Sequence, residues 1–172
     1  MNIVMEKLWI DNKKFVTREE LKKILKGLNK EYLSTIRYLI SQRYIARIFR
    51  GIFYVKSLEE IKLGKIEKSF FEIIAEGLSL KDVKNWYFGA ETALRLNKLT
   101  HEYFTINTII NDKIFRQKPI KIMNYKIKFI KINPKLIFGI KLENQIKFSD
   151  VEKTMLDFIY LGRYGDLNDT EI

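Results

Sequence analysis

The sequence contains no cysteine. That absence excludes disulfides, thiolate zinc sites and thiol catalysis. Long apolar runs are missing too: the longest cover four or five residues, too few for a helix to cross a membrane. Met1 to Asn12 carries Glu6 and Asp11 and lacks the apolar centre of a signal peptide. These features predict a soluble cytoplasmic protein with no membrane partner. There is no Gly-rich phosphate loop, no nucleophile elbow and no pair of catalytic carboxylates. The one histidine, His101, has no carboxylate at a ligand-like spacing and reads as a loop residue. No catalytic residue, metal site or cofactor is expected, and the chain reads as a binding protein rather than an enzyme.

What the sequence has in excess is positive charge. Its 172 residues carry 32 Lys and Arg against 21 Asp and Glu, a net +11. With 47% hydrophobic residues the chain can build a core and is not a disordered polycation. The first 56 residues hold 13 Lys and Arg and 5 Asp and Glu, a net +8, which leaves +3 for the other 116. A genome that writes lysine often produces a diffuse surplus. A one-sided surplus points to a polyanion partner for the first segment, and the balanced remainder reads as a separate module for which DNA is the less expected partner.

The pattern predicts a short helix over Val4–Ile10 with Val4 and Leu8 inward. Lys13-Lys14 reads as a polar turn. Thr17-Arg18-Glu19-Glu20 is a capping box, and Leu21, Ile24, Leu25 and Leu28 follow at helical spacing. Gly27 is expected to end that helix in a left-handed conformation. Asn29 is expected to cap a third helix running to about Gln42, with Leu33, Ile36, Leu39 and Ile40 inward. Two β-type runs follow, 44–49 and 52–55, with Arg50-Gly51 between them as the turn. Three helices and a hairpin within 56 residues is the order of a winged helix-turn-helix.

Residues 57–65 read as a charged linker. Beyond it, helices are expected over 66–78 and 90–96, then strands over 105–110, 120–123, 125–132, 136–142 and 145–148. The apolar phase switches inside the third of these, so a bulge or strong twist is expected there. Ser149-Asp150-Val151-Glu152 reads as a second capping box, opening a helix with Val151, Met155, Phe158 and Ile159 inward. The polar segment 161–172 is expected to be loose. The fold class is therefore α+β: a winged helix-turn-helix over 1–56, a linker, and a mixed domain over 66–172 with a mostly antiparallel sheet.

Three segments resemble the AbiEi-type antitoxins of type IV toxin–antitoxin systems. Residues 38–54, from Tyr38 through Arg43-Tyr44-Ile45 to Arg50-Gly51-Ile52-Phe53-Tyr54, are similar to that family's recognition-helix end and wing. Residues 86–100, with Trp86-Tyr87-Phe88-Gly89 and Ala93-Leu94, resemble its aromatic strand and small-residue helix. Residues 148–157, Phe148-Ser149-Asp150-Val151-Glu152-Lys153-Thr154-Met155-Leu156-Asp157, look like its Ser-Asp-x-Glu helix start. Family members continue for several helices past this segment, while this sequence ends at Ile172. The resemblance implies an N-terminal winged helix that binds operator DNA and represses its own operon. It also implies a C-terminal domain linked to neutralising a nucleotidyltransferase toxin, and it allows a homodimer.

Base readout in the major groove needs hydrogen-bonding side chains on an exposed helix face. Lys30, Ser34, Thr35, Arg37 and Tyr38 form that face on the third helix. Arg47 and Arg50 flank the wing turn, where arginine enters a minor groove favourably. Lys22, Lys23 and Lys26 are assigned to phosphates or to no contact. Tyr32, Phe49, Phe53 and Tyr54 are read mainly as core rather than as a base-stacking platform. The competing hypothesis is a protein-interaction module that binds a toxin and has only non-specific DNA affinity.

Overall fold

The computed structural model describes residues 2–162 and divides the chain into two compact units, on either side of Lys81 and Asp82. Both are mixed α and β, so the fold class is α+β. The expectation for Leu161–Ile172 falls, from residue 163 onward, outside the described residues.

The first unit begins with α1 (Ile3–Ile10), β1 (Phe15–Thr17), α2 (Arg18–Gly27) and α3 (Tyr32–Ser41). It continues with β2 (Ile45–Phe49), β3 (Ile52–Val55), α4 (Leu58–Leu63) and α5 (Phe70–Leu80). The three strands form one antiparallel sheet in the order β1-β3-β2. α2 starts at the Thr17 capping box: Glu20 N–H donates to the Thr17 hydroxyl, and the Glu20 carboxylate accepts from Thr17 N–H. Its Leu21 and Leu25 join Val4, Met5, Leu8, Val16, Ile36, Leu39, Ile45, Phe53 and Val55 in one buried cluster.

Several local expectations change here. Gly27 stays helical, and Asn29 takes the left-handed conformation (φ 51°) that turns the chain. The cap of α3 is Glu31 rather than Asn29. Leu33 faces out at 58% exposure, because Tyr32 takes the inward position beside Ile36 and Leu39. β1 is only three residues long, too short to show alternation in the sequence, yet it completes the sheet against β3.

Residues 57–65 are not a linker. Ser57 opens α4 with a capping box to Glu60. The Glu60 carboxylate is buried and accepts from the Tyr54 hydroxyl at 2.6 Å, from Ser57 N–H at 2.8 Å and from Glu67 N–H at 2.9 Å. α5 then packs on the same sheet: a Cβ on Gly77 would lie 2.8 Å from the Phe49 ring and 3.0 Å from Ile48. The helix expected to open the second domain thus belongs to the first unit.

The second unit contains β4 (Trp86–Phe88), α6 (Ala90–Leu96), β5 (Ile106–Asn111) and β6 (Ile120–Ile122). It ends with β7 (Tyr125–Lys131), β8 (Ile140–Glu143), β9 (Ile146–Ser149) and α7 (Val151–Tyr160). Its six-stranded sheet has the order β6-β7-β5-β4-β9-β8. Three neighbouring pairs are antiparallel; β5–β7 and β4–β9 are parallel. The stretch expected as a strand over 136–142 begins instead as a 3-10 turn at Pro134–Leu136. β7 pairs with β5 without a register shift. Its change of apolar phase reflects cover on both faces: Ile127 and Phe129 are buried, while Ile130 and Ile132 pack with Tyr87 and Ile110. The bulge lies elsewhere, in β2 between Arg47 and Phe49.

Of the four residues of α7 expected inward, Phe158 is buried and the other three are not. Val151, Met155 and Ile159 are 40%, 44% and 67% exposed, while Lys153, Thr154, Asp157 and Phe158 are buried. The polar side goes inward because each polar group finds a partner there. Lys153 pairs with Asp157, which also accepts from the Tyr87 hydroxyl at 2.9 Å. The Lys153 ammonium lies 4.8 Å from the centre of the Phe138 ring. Thr154 donates to the Asp150 carbonyl at 2.6 Å and bonds Ser149 Oγ at 2.8 Å. Ser149 is therefore not the cap; Asp150 is, accepting from Lys153 N–H.

Two stability tests follow from these buried groups. Burial alone would raise the Glu60 pKa, but the hydrogen bonds from Tyr54, Ser57 and Glu67 outweigh it and hold the carboxyl below its ordinary 4.5. A carboxyl lowered on folding stabilises above its unfolded pKa, and that contribution disappears as pH falls through the folded value. Urea unfolding across pH 7 to about 3 should show a shallower acid loss in Glu60→Gln than in the parent, and Tyr54→Phe should lose about 2 kcal/mol at pH 7. In the second unit, Asp157→Ala strands a buried ammonium and should cost about 4 kcal/mol. The double change Lys153→Met with Asp157→Leu should recover much of that loss; if it is no more stable than Asp157→Ala, the buried pair is not what holds α7.

Candidate nucleic-acid interface

The residues assigned to base readout fall into three groups in the structure. Ser34, Arg37 and Tyr38 are exposed together on one face of α3, with Tyr38 at 47%. Thr35 is half-buried, and its hydroxyl donates to the Glu31 carbonyl at 2.6 Å, so it serves its own helix. Lys30 is exposed but precedes α3. It lines a cleft of about 480 Å³ between α2 and α3 with Lys22, Lys26, Asn29, Glu31 and Tyr32.

Arg47 and Arg50 sit on the β2–β3 hairpin, both exposed. Arg47 lies on β2 with its guanidinium 5.8 Å from the centre of the Phe53 ring. Arg50 and Gly51 form the turn, and Gly51 has φ +79°. The turn is tied to the start of α2, since Arg18 N–H donates to the Gly51 carbonyl at 2.7 Å. Arg18, Arg50 and Lys81 share a cleft of about 420 Å³ there, which no residue of α3 lines. Arg50 thus meets the first turn of α2, not the exposed face of α3.

Arg18 was not among the sequence-derived candidates, although the signal was present. Arg18, Lys22 and Lys26 recur every four residues, which places them on one helix face at intervals of about 6 Å. Arg18 and Lys22 lie 5.7 Å and 5.9 Å from the centre of the Tyr32 ring. Tyr32 is thus occupied by cations and core, and Phe49, Phe53 and Tyr54 are buried; none of the four offers a free stacking face.

Glu31 was also missed. Its exposed carboxylate accepts from Leu33 N–H at 2.7 Å and Ser34 N–H at 2.6 Å. Hydrogen bonds from the Ser34 side chain and backbone and from Leu33 N–H, together with the charge of Arg37, hold its carboxyl below the ordinary range.

The second unit has a basic block that averaging over 116 residues conceals. From Lys113 to Lys135 there are eight Lys and Arg and no Asp or Glu. Lys121 and Lys126 are direct partners across the β6–β7 pair, and both are exposed. Like charges placed opposite one another destabilise a sheet, so this edge accumulates charge at some cost. His101 is exposed in the segment between α6 and β5. Among the described residues no helix is long and apolar enough to cross a membrane.

No protein-family model and no curated protein matches the chain. Among solved structures it is similar to the crystal structure of the RV2827C protein from Mycobacterium tuberculosis, with a TM-score of 0.52 and 16% identity. The match covers 77% of this chain and 45% of that one, so the chain spans less than half of that protein's length. A likeness at this identity concerns the fold alone.

Two glycines of this surface respond oppositely to the same change. A Cβ on Gly51 would adopt a left-handed conformation and meet Arg18 Cβ at 3.3 Å, whereas nothing lies within 4 Å of one on Gly27. Gly51→Ala should lower stability by about 1 kcal/mol, and Gly27→Ala should raise it by about 0.5–1 kcal/mol, both read by thermal denaturation.

Proposed function

We propose that the first unit is a winged helix-turn-helix and that the protein is a sequence-specific regulator of the AbiEi type, binding double-stranded DNA. In this reading α2 and α3 are the helix pair, α3 reads bases, and β2–β3 is the wing. The operator of its own operon is the expected target, and a homodimer would set two half-sites one helical turn apart. The observation that carries the reading is the exposed face of α3. Its Ser34, Arg37 and Tyr38 supply donors and acceptors suited to base edges, and Lys22, Lys26 and Lys30 line the cleft at its start. Those lysines, with Arg18 and Arg50, suit phosphates. The cations from Arg116 to Lys135 add phosphate-neutralising charge on the second unit.

A different observation favours a second reading. The outward side of α7 presents Val151, Met155, Leu156, Ile159 and Tyr160, each at least 40% exposed. Apolar patches of this kind mark partner surfaces. In that reading the second unit holds a nucleotidyltransferase toxin, and DNA affinity is non-specific.

Titration of the full chain against the duplex upstream of its own gene and a scrambled duplex separates the two. A regulator binds the upstream duplex far more tightly, and its affinity falls steeply with salt. Arg37→Ala should weaken upstream binding by about tenfold and narrow the preference over scrambled DNA. Lys22→Gln and Lys26→Gln should weaken both duplexes alike and each reduce the salt slope by about 0.9. Equal affinity for both duplexes, unaffected by Arg37→Ala or Arg50→Ala, would refute the regulator reading.

A further inference from the structure

The cleft at the start of α3 contains one residue of the wrong sign for DNA. Glu31 shares its cleft with Lys22, Lys26 and Lys30, and a carboxylate there repels phosphates. Its capping role does not account for the choice of residue. The other α-helices capped by a side chain use Asn2, Thr17, Ser57, Ser69 and Asp150. Those are the residue types that cap best, and glutamate is not among them. Among the described helices α3 alone carries a longer acidic side chain at this position, and its exposed face also presents Arg37 and Tyr38.

The carboxylate is also fixed. Both oxygens accept from backbone N–H groups, at 2.7 Å and 2.6 Å, which leaves outward lone pairs on a group held in one orientation. An ionised carboxylate accepts hydrogen bonds and donates none. In the major groove guanine presents two acceptors and thymine one, and adenine sets its amino group beside the N7 acceptor. Only cytosine offers an amino donor with no acceptor of its own next to it.

We propose that Glu31 is a base-selecting residue of this surface, accepting from the N4 amino group of one cytosine per half-site and disfavouring the other three bases there. The inference rests on the DNA reading and assigns part of its specificity. Repulsion of phosphates then serves the same end, because it lowers affinity for every duplex that lacks the compensating amino group.

The test is selection of the full chain on randomised duplexes, followed by anisotropy titration of the selected site and its single-base variants. Parent, Glu31→Gln and Glu31→Ser are compared. Serine keeps a side-chain cap on α3, so circular dichroism should show both variants folded. The parent should prefer cytosine at one position of each half-site by about tenfold. Both variants should lose that preference at that position alone, keep their preferences elsewhere, and bind scrambled duplex more tightly at low salt. If the variants retain the cytosine preference, or the parent shows none, Glu31 is a cap only and the proposal is overturned while the DNA reading stands. If the parent selects no sequence at all, the DNA reading falls and the proposal with it.

Discussion

The first unit is organised around a strand with no exposed face. All four residues of β3, Ile52 to Val55, are buried. A strand alternates its side chains between two sides, so both faces of this three-stranded sheet need cover. Phe53 and Val55 point into the cluster built by α1, α2 and α3. Ile52 and Tyr54 need cover from elsewhere. α4 brings Glu60 to the Tyr54 hydroxyl, and α5 places Gly77 against Phe49 and Ile48, on the strand paired with β3. A unit ending at residue 56 would leave that face open and the Tyr54 hydroxyl without its carboxylate. The unit boundary at Lys81 follows from the burial of β3, not from the composition of 57–65.

The second unit solves the opposite problem at α7. Its sequence admits two amphipathic readings, and the apolar one lost. Burying Lys153 and Asp157 requires each charge to be matched at close range. Tyr87, Phe138, Asp150 and Ser149 supply the remaining contacts of this polar network. Gly139 is part of the same fit, since a Cβ there would meet Lys153 Cβ at 2.9 Å. The network turns the apolar side outward. A helix whose polar side is the inner one gives up apolar burial that its own unit could have used, and this is why its outer surface bears on the question of partners.

The legible parts of the sequence were those where one local signal suffices. The capping box at Thr17, the spacing of Leu21 and Leu25, and the turn at Arg50-Gly51 all carry their structure in a few neighbouring residues. What escaped depends on residues far apart in the chain. β1 is a strand only because β3 lies beside it, and α4 packs where it does because Tyr54 reaches Glu60. The face of α7 is decided by Tyr87, seventy positions away. On the candidate interface, Ser34, Arg37 and Tyr38 were readable from helical period. That the Thr35 hydroxyl turns back to the Glu31 carbonyl is not visible in the helical period. Arg18 belongs both to the capping segment and to a row of three cations four residues apart, and the cap is the stronger local signal.

The net charge of +11 shows the same limit. Counted on the observed units, residues 1–81 hold 17 Lys and Arg against 10 Asp and Glu, and residues 82–172 hold 15 against 11. The resulting +7 and +4 distinguish the units less than the +8 and +3 of the segments read from sequence. The sums also mix charges in different situations. Lys153 is neutralised inside the fold, Lys13 is bonded to Glu20, and Lys113 to Asp82. Such charges attract a polyanion weakly, because their field is already cancelled at short range. Lys121 and Lys126 face each other with no acid within five residues of either in sequence. Lys22, Lys26 and Lys30 line one cleft around a single carboxylate. Affinity for a phosphate backbone follows the number of cations able to displace its counterions. The two units are therefore better compared by these unneutralised groups than by their totals.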